Sequence, residues 1–383
     1  MEDKSWENIT DHIIIHILSY LPVHHRHNAG AACRSWNRAF NSPLLWRHVR
    51  ATFHSEKDVR WLGCLQRYGT HFRTVHIDCN QEDVVNRRIT CDFINELARL
   101  PERRLKRFIV VFSGMNPYFY AGQEMHEAIE DLFGPPPTKC NVISTLEHVD
   151  LGKLSIAYSD KLFLPLAENN PNLRFLNIQN ASLVCKVSSD CLLKIITTCT
   201  KLVDLRVHYY SLSEEVLTAL ADKERTPLQH LSVCCQKDDK MGFAKVWESE
   251  FWKALTEHNR ALRVSLIFGD YCPTLRIPKL LKPEIPVSVL RVENWHPLLY
   301  LVRFCCEHYY RTIEVLVLHT HTSPQLDQSL LELVTKSPRL RELHVYCVLA
   351  KDTVSEILKI RPGLQRITLK SEKEPFPWEP EEL

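Results

Sequence analysis

Through most of the chain apolar residues fall in one cadence: an apolar position, two others, an apolar position, one other, an apolar position. Clear copies are Leu146-Val149-Leu151, Leu173-Leu176-Ile178, Leu202-Leu205-Val207, Leu228-Leu231-Val233 and Val287-Leu290-Val292, then Ile313-Leu316-Leu318, Leu340-Leu343-Val345 and Leu364-Ile367-Leu369. Phe72-Val75-Ile77 and Leu105-Phe108-Val110 are looser copies, and Leu262-Val264-Leu266 has slipped by one position. The last two apolar positions of each copy lie two apart, which sets both on one side of a short strand. Helical spacing fills the gaps, as in Leu192, Ile195, Ile196 and Cys199, or Leu330, Leu331 and Val334. Turn formers such as Asn170-Pro171-Asn172, Ser337-Pro338 and Arg361-Pro362-Gly363 stop the helices and lead into the strands.

From Leu146 onward the copies advance by 27, 29, 26, 34, 25, 26, 27 and 24 residues, within the leucine-rich-repeat period save for one longer interval. A strand–helix unit of this size buries its apolar face only against its neighbours. The predicted fold class is therefore α/β: a leucine-rich-repeat solenoid over 51–370, shaped as a horseshoe with a parallel sheet on the concave face and helices outside. The pattern lapses around 112–145, where we expect an irregular insertion with a helix near Gln123 to Leu132, ending in Gly134-Pro135-Pro136-Pro137. A functional insertion and a plain elaboration fit it equally well.

The first fifty residues keep a different period. Ile9, Ile13, Ile17 and Leu21 recur every four residues, widened by Ile14 and Leu18, with Thr10 placed to cap the helix and Pro22 to stop it. A second helix is expected to carry Ala29, Ala32, Cys33, Trp36 and Phe40. Ser42-Pro43 then opens a short third one with Leu44, Leu45 and Trp46. Three helices this short make a small core, so spare apolar surface is expected to pack on something else.

Composition narrows the function. Across 383 residues 48 Lys and Arg face 46 Asp and Glu, a net charge of +2 that gives no electrostatic reason for a nucleic-acid or membrane-surface partner. The longest apolar run, Val345 to Ala350, is far short of a bilayer span, and no signal-like apolar stretch follows Met1. Ten glycines weigh against phosphate-cradling loops, and P-loop, GxSxG and HExxH motifs are absent. The 14 cysteines include no CxxC. They read as free, mostly buried thiols of a reducing compartment, cytoplasmic and/or nuclear. His24, His25 and His27, or His319 with His321, lack the carboxylate or cysteine spacing of a metal centre. No metal, cofactor or enzymatic activity is expected.

The stretch Ile17-Leu18-Ser19-Tyr20-Leu21-Pro22, then Cys33-Arg34-Ser35-Trp36-Asn37, then Leu45-Trp46 resembles an F-box motif. With the repeats, it makes nearly the whole chain similar to the F-box, leucine-rich-repeat proteins. The resemblance implies an F-box over 1–50 that binds the Skp adaptor of a cullin-RING scaffold, and repeats that hold a protein substrate for ubiquitination. It implies no chemistry by the chain itself. Adaptor contacts are then expected at Ile17, Leu18, Leu21, Pro22, Trp36, Leu45 and Trp46, although the same side chains could fill the core of the three helices. Substrate contacts are expected between the inward leucines, at Arg206, His208, His230, Arg291, His319, His344 and Tyr346, and at Trp378 of the proline-rich acidic tail 371–383. That tail either covers the last repeat or reaches into the concave face. A non-catalytic leucine-rich inhibitor or scaffold with no link to ubiquitin is the rival reading.

Overall fold

The computed structural model describes residues 9–116, 122–135, 144–180, 185–235, 246–270 and 272–371. Two compact units divide the chain: Met1–Leu173 with Asn180–Ser182, and Arg174–Gln179 with Leu183–Leu383.

The first unit opens with α1 (Asp11–Ser19), α2 (Val23–Gly30), α3 (Arg34–Phe40) and a 3-10 turn over Pro43–Trp46. The single second helix expected from the sequence is thus two. Asn37 donates its side-chain amide to the carbonyl of Gly30 (3.1 Å), and a Cβ at Gly30 would lie 2.9 Å from that of Phe40. The chain therefore turns at Gly30 so that α2 packs tightly on α3. Pro22 ends α1 and stands as the N-cap of α2; Thr10 caps α1 through its carbonyl, without a side-chain bond.

Four strand–helix pairs follow: β1 (His48–Phe53) with α4 (Arg60–Tyr68), β2 (Thr74–Cys79) with α5 (Val84–Ala98), β3 (Arg107–Phe112) with α6 (Gln123–Phe133), and β4 (His148–Lys153) with α7 (Asp160–Asn169). The strands pair in parallel in chain order, and the register aligns Val49, Val75, Phe108 and Val149 in one buried column. The expected helix of the 112–145 insertion is α6; residues 117–121 and 136–143 lie outside the described residues.

β1 runs across the boundary expected at residue 50. Its register against β2, His48 opposite Thr74, places Val49 and Ala51 opposite Val75 and Ile77, and Trp46 precedes Phe72 by the same 26 residues. The cadence thus begins one copy earlier than the sequence reading had it, and Trp46 fills the first apolar slot.

The second unit carries eight parallel strands in chain order: β5 (Phe175–Asn177), β6 (Asp204–His208), β7 (His230–Cys235), β8 (Arg263–Phe268), β9 (Val287–His296), β10 (Val315–Thr320), β11 (Glu342–Leu349) and β12 (Arg366–Ser371). Helices α8 (Ser189–Thr198), α9 (Glu214–Leu220), α10 (Ser249–His258), α11 (Ile277–Leu280), α12 (Leu299–Phe304), α13 (Pro324–Lys336) and α14 (Lys351–Ile360) run between them. Val264 and Leu266 of β8 align with Leu231 and Val233, so only Leu262 is out of step in the irregular copy. Buried asparagines satisfy carbonyls near helix ends and in a loop. The Asn259 amide donates to Leu220 and Leu255 (3.2 and 2.8 Å), and that of Asn294 donates to Cys272 (3.0 Å).

Candidate functional site: a helical docking corner and a sheet face

In α1 the stripe divides by depth. Ile14 and Leu18 are buried, Ile17 and Leu21 are half-buried, and Ile13 and Tyr20 are exposed, Tyr20 at 76%. Arg26 of α2 shapes the corner that follows. Its guanidinium donates to the carbonyls of Leu21 (2.7 Å), Leu45 (2.9 Å) and Ser19 (3.2 Å), tying the end of α1 to the 3-10 turn. Burial lowers the pKa of Arg26, yet three carbonyl acceptors favour the charged, five-donor form. Exposed Pro22, Pro43 and Leu44 flank this clamp. On the other side, Arg38 of α3 holds Asp11 of α1 through two 2.7 Å bonds, and that pairing keeps the Asp11 carboxyl below its ordinary range.

Of the residues assigned to an adaptor, the corner brings Ile17, Leu21, Pro22 and half-buried Trp36 to or near the surface. Leu18, Leu45 and Trp46 lie inside. Trp46 is 2% exposed, stacks on Tyr68 of α4 (4.0 Å between centroids, planes 4° apart), and donates its indole N–H to the Phe40 carbonyl (3.0 Å). Its place is the seam between helices and first repeat, because it fills the leading slot of that repeat. The signal was present in the sequence: Trp46-Val49-Ala51 precedes Phe72-Val75-Ile77 by 26 residues, one period. Ile13, Tyr20 and Leu44 complete the exposed apolar corner and were not singled out beforehand.

The expected substrate residues separate in the same way. His208 is 4% exposed, and burial pushes its imidazole pKa down to about 4. It is therefore no surface contact, a correction caused by cover over the end of β6. Arg206 is engaged internally, paired with Asp204 (3.1 Å) and lying over the Phe175 ring (4.9 Å). His230 and Arg291 are exposed on β7 and β9. Trp378 lies outside the described residues.

A group forms on β9 to β11. The His319 ring lies 5.2 Å from Trp295 and 4.5 Å from Tyr346, making an aromatic row across three strands, with Trp295 56% and Tyr346 40% exposed. One pair down, Nδ1 of His344 lies 2.8 Å from the Thr368 hydroxyl. Trp295 follows the same outward alternation as Arg291 and Glu293, with Leu290, Val292 and Asn294 buried between them, one step beyond the positions the sequence reading named.

Two clusters bear on chemistry. At the ends of β1 to β3, Nε2 of His54 lies 2.9 Å from Oδ1 of Asp78 and 3.2 Å from Oγ of Ser113, while Arg50 holds Oδ2 (3.1 Å). One nitrogen meets both partners, so the two-nitrogen relay of a hydrolase triad is not built. The described cysteines are free, and burial pushes Cys64 and Cys91 up to about 12, far from a nucleophilic thiolate. Among the described residues no His, Cys, Asp and Glu side chains gather into a metal-holding group, and no helix is long and apolar enough to cross a membrane.

A helical module with an apolar corner, followed by parallel strand–helix repeats, defines the class: an α/β leucine-rich-repeat chain with a helical N-terminal region. The F-box-like family model matches residues 11–52, a span that runs into β1. The chain is 28% identical over 377 residues to human F-box/LRR-repeat protein 8, covering 98% of each, and 25% identical to mouse F-box/LRR-repeat protein 21, covering 74% of this chain and 64% of that protein. The chain is thus similar over nearly its whole length to F-box/LRR-repeat proteins. A solved leucine-rich repeat-containing protein, LegL7 from Legionella pneumophila, aligns with 80% of this chain and 86% of its own at 12% identity and a TM-score of 0.33.

Proposed function

We propose that this chain is the substrate-recognition subunit of a Skp–cullin–F-box ubiquitin ligase. It binds the Skp adaptor through the corner of Tyr20, Leu21, Pro22 and Leu44, presents target proteins on the repeats, and performs no chemistry itself. The observation that carries the reading is the F-box-like match laid over helices whose apolar residues do not all fit inside. A hydrophobic corner beside a desolvated arginine clamp suits a protein anchor better than open solvent. The aromatic row of Trp295, His319 and Tyr346, with Arg291 exposed on the same strand as Trp295, is the candidate substrate patch. Buried aromatics and Arg are the side chains that dominate protein interfaces. The receptor then acts by raising the concentration of substrate lysines near a loaded ubiquitin-conjugating enzyme. Its compartment is the cytoplasm and/or the nucleus, which suits a chain rich in free buried thiols.

Co-expression with the Skp adaptor tests the reading. A soluble one-to-one complex is expected, broken by Leu44→Asp with the melting temperature of the free chain unchanged. A chain that elutes as a stable monomer and ignores the adaptor favours the scaffold reading instead.

A further inference from the structure

The chain as a whole is nearly neutral, yet its charge is uneven: residues 336–371 hold eight Lys and Arg against three Asp and Glu. Within that stretch, the turn that leads into β11 and the turn that leads into β12 line a groove of about 500 Å3. Arg339, Arg341 and Arg361 border it together with Glu314, and buried Leu340 and half-buried Ile360 supply an apolar wall. How each guanidinium is held decides what the groove can accept. Arg361 donates to the carbonyls of Val334 (3.1 Å) and Ser337 (2.6 Å), which orient it and leave its charge in place. Arg263 grips one oxygen of Glu314 and Arg341 the other, so both are engaged. Arg339 is exposed and has no hydrogen-bond or ion-pair partner among the described residues. Four guanidiniums thus bear on one carboxylate, and the groove carries uncompensated positive charge.

The lining selects among anions. A nucleic-acid strand gains affinity from aromatic rings on which its bases stack, and no aromatic ring lines this groove. A lone phosphate favours guanidinium forks that converge on one point, whereas these are shared between two turns with an apolar wall, in a volume that takes several side chains. Glu314 shows the mode in which the arginines already work: two of them divide the oxygens of one carboxylate.

We propose that this groove binds an acidic segment of a partner protein, with carboxylates on Arg339 and Arg341 and an apolar side chain between them against Leu340 and Ile360. The site stands on its own geometry. That the partner is a substrate rests on the receptor reading above, and under that reading the targets are proteins that display a run of acidic residues interrupted by an apolar one. Charge of this kind, confined to one groove on a nearly neutral chain, attracts such a segment without drawing polyanions to the whole surface.

A fluorescein-labelled Glu-Leu-Glu-Glu-Leu-Glu peptide, titrated with the full chain by anisotropy and without adaptor, tests the assignment. Saturable binding is expected, lost with the Gln-Leu-Gln-Gln-Leu-Gln counterpart and weakened severalfold as salt rises from about 50 to about 500 mM. Arg339→Glu should weaken it roughly tenfold and Arg339→Gln roughly threefold, both with an unchanged melting temperature, because this side chain is exposed and unpartnered. Arg303→Glu, on an exposed position of α12 outside the groove, makes the same change in net charge and should cost under about twofold. Absence of binding, or equal losses from Arg339→Glu and Arg303→Glu, overturns the proposal. So does equal affinity for a thymidine oligonucleotide of the same charge, or displacement of the peptide by millimolar inorganic phosphate at constant ionic strength. With no adaptor in the titration these outcomes bear on the groove alone, and co-expression decides the receptor reading separately.

Discussion

Trp46→Ala separates a seam residue from an adaptor contact, and the two assignments demand opposite results. The indole is buried, stacks on Tyr68 and meets the edge of Phe40 (5.3 Å), and its N–H is the donor to the Phe40 carbonyl. Truncation removes a large core ring, about 3–5 kcal/mol by precedent, and leaves that carbonyl without its donor, a further cost of about 1 kcal/mol. For a unit of roughly 150–250 residues that loss lowers the melting temperature on the order of 10 °C. Trp46→Phe keeps most of the stacking and loses the N–H, so it should fall well between. The assay is thermal unfolding of the full chain with hydrogen exchange followed over residues 11–79. Loss of protection is expected in α3, β1 and α4 together, because one side chain joins them. Adaptor binding should weaken only in proportion to the unfolded fraction, and cooling should restore it. A Trp46→Ala chain with unchanged melting temperature and exchange but no adaptor affinity would refute the seam and return Trp46 to the interface.

Arg26→Ala and Arg26→Lys should both loosen the docking corner, each weakening the adaptor complex by roughly tenfold in a titration, because an ammonium does not reproduce a planar fork serving three carbonyls; rescue by Lys would show that charge alone suffices. His208 is held neutral in the fold with its pKa near 4, below the ordinary histidine value of 6.5. The unfolded chain therefore binds the extra proton first, and stability falls as pH drops from about 6.5 to 4, by on the order of 3 kcal/mol at the end of that window. His208→Leu should flatten that slope in urea titrations at pH 7, 6 and 5, and an unaltered slope would assign it to other groups. Trp295→Ser with Tyr346→Ser should leave the melting temperature within about 2 °C and strip the partners stabilised by cullin inhibition in quantitative proximity labelling. Partners retained unchanged would remove the aromatic row as a substrate surface.

The strands were legible because burial repeats at fixed spacing: each expected column, from Val75 to Leu343, is buried. What escaped was decided by events between repeats. The break between α2 and α3 rests on Gly30 meeting Phe40, a contact between positions that no helical period marks. His208 sits at an outward strand position by alternation and is buried all the same, because alternation names a face and does not report what covers it. Trp295 lies outward by plain alternation from Arg291 and Glu293, but beyond the three-position cadence from which the strand was read, so the pattern did not carry the strand that far. The corner at Arg26 was invisible for a related reason: its three carbonyl partners are backbone atoms, and they leave no trace in side-chain patterning.

The shared tryptophan also bears on how such a receptor would work. A separate F-box joined by a flexible linker would let the first repeats sweep a volume that grows with linker length, diluting a bound substrate's lysines roughly as the −3/2 power of that length. Here the 3-10 turn leads into β1 after a single residue, Arg47, and Arg47 itself accepts from the backbone N–H of Thr74 (2.8 Å) and Arg73 (2.9 Å). No residue is left free to act as a hinge between the docking corner and the first strand pair. The module and the start of the sheet are one folded object, held by the same ring that starts the repeat cadence. In the proposed ligase, an adaptor gripping the corner therefore sets the direction in which the sheet departs. Lengthening this joint should lower ubiquitination of a captured substrate while both binding affinities stay as they were, an uncoupling that a merely tethered F-box would not produce.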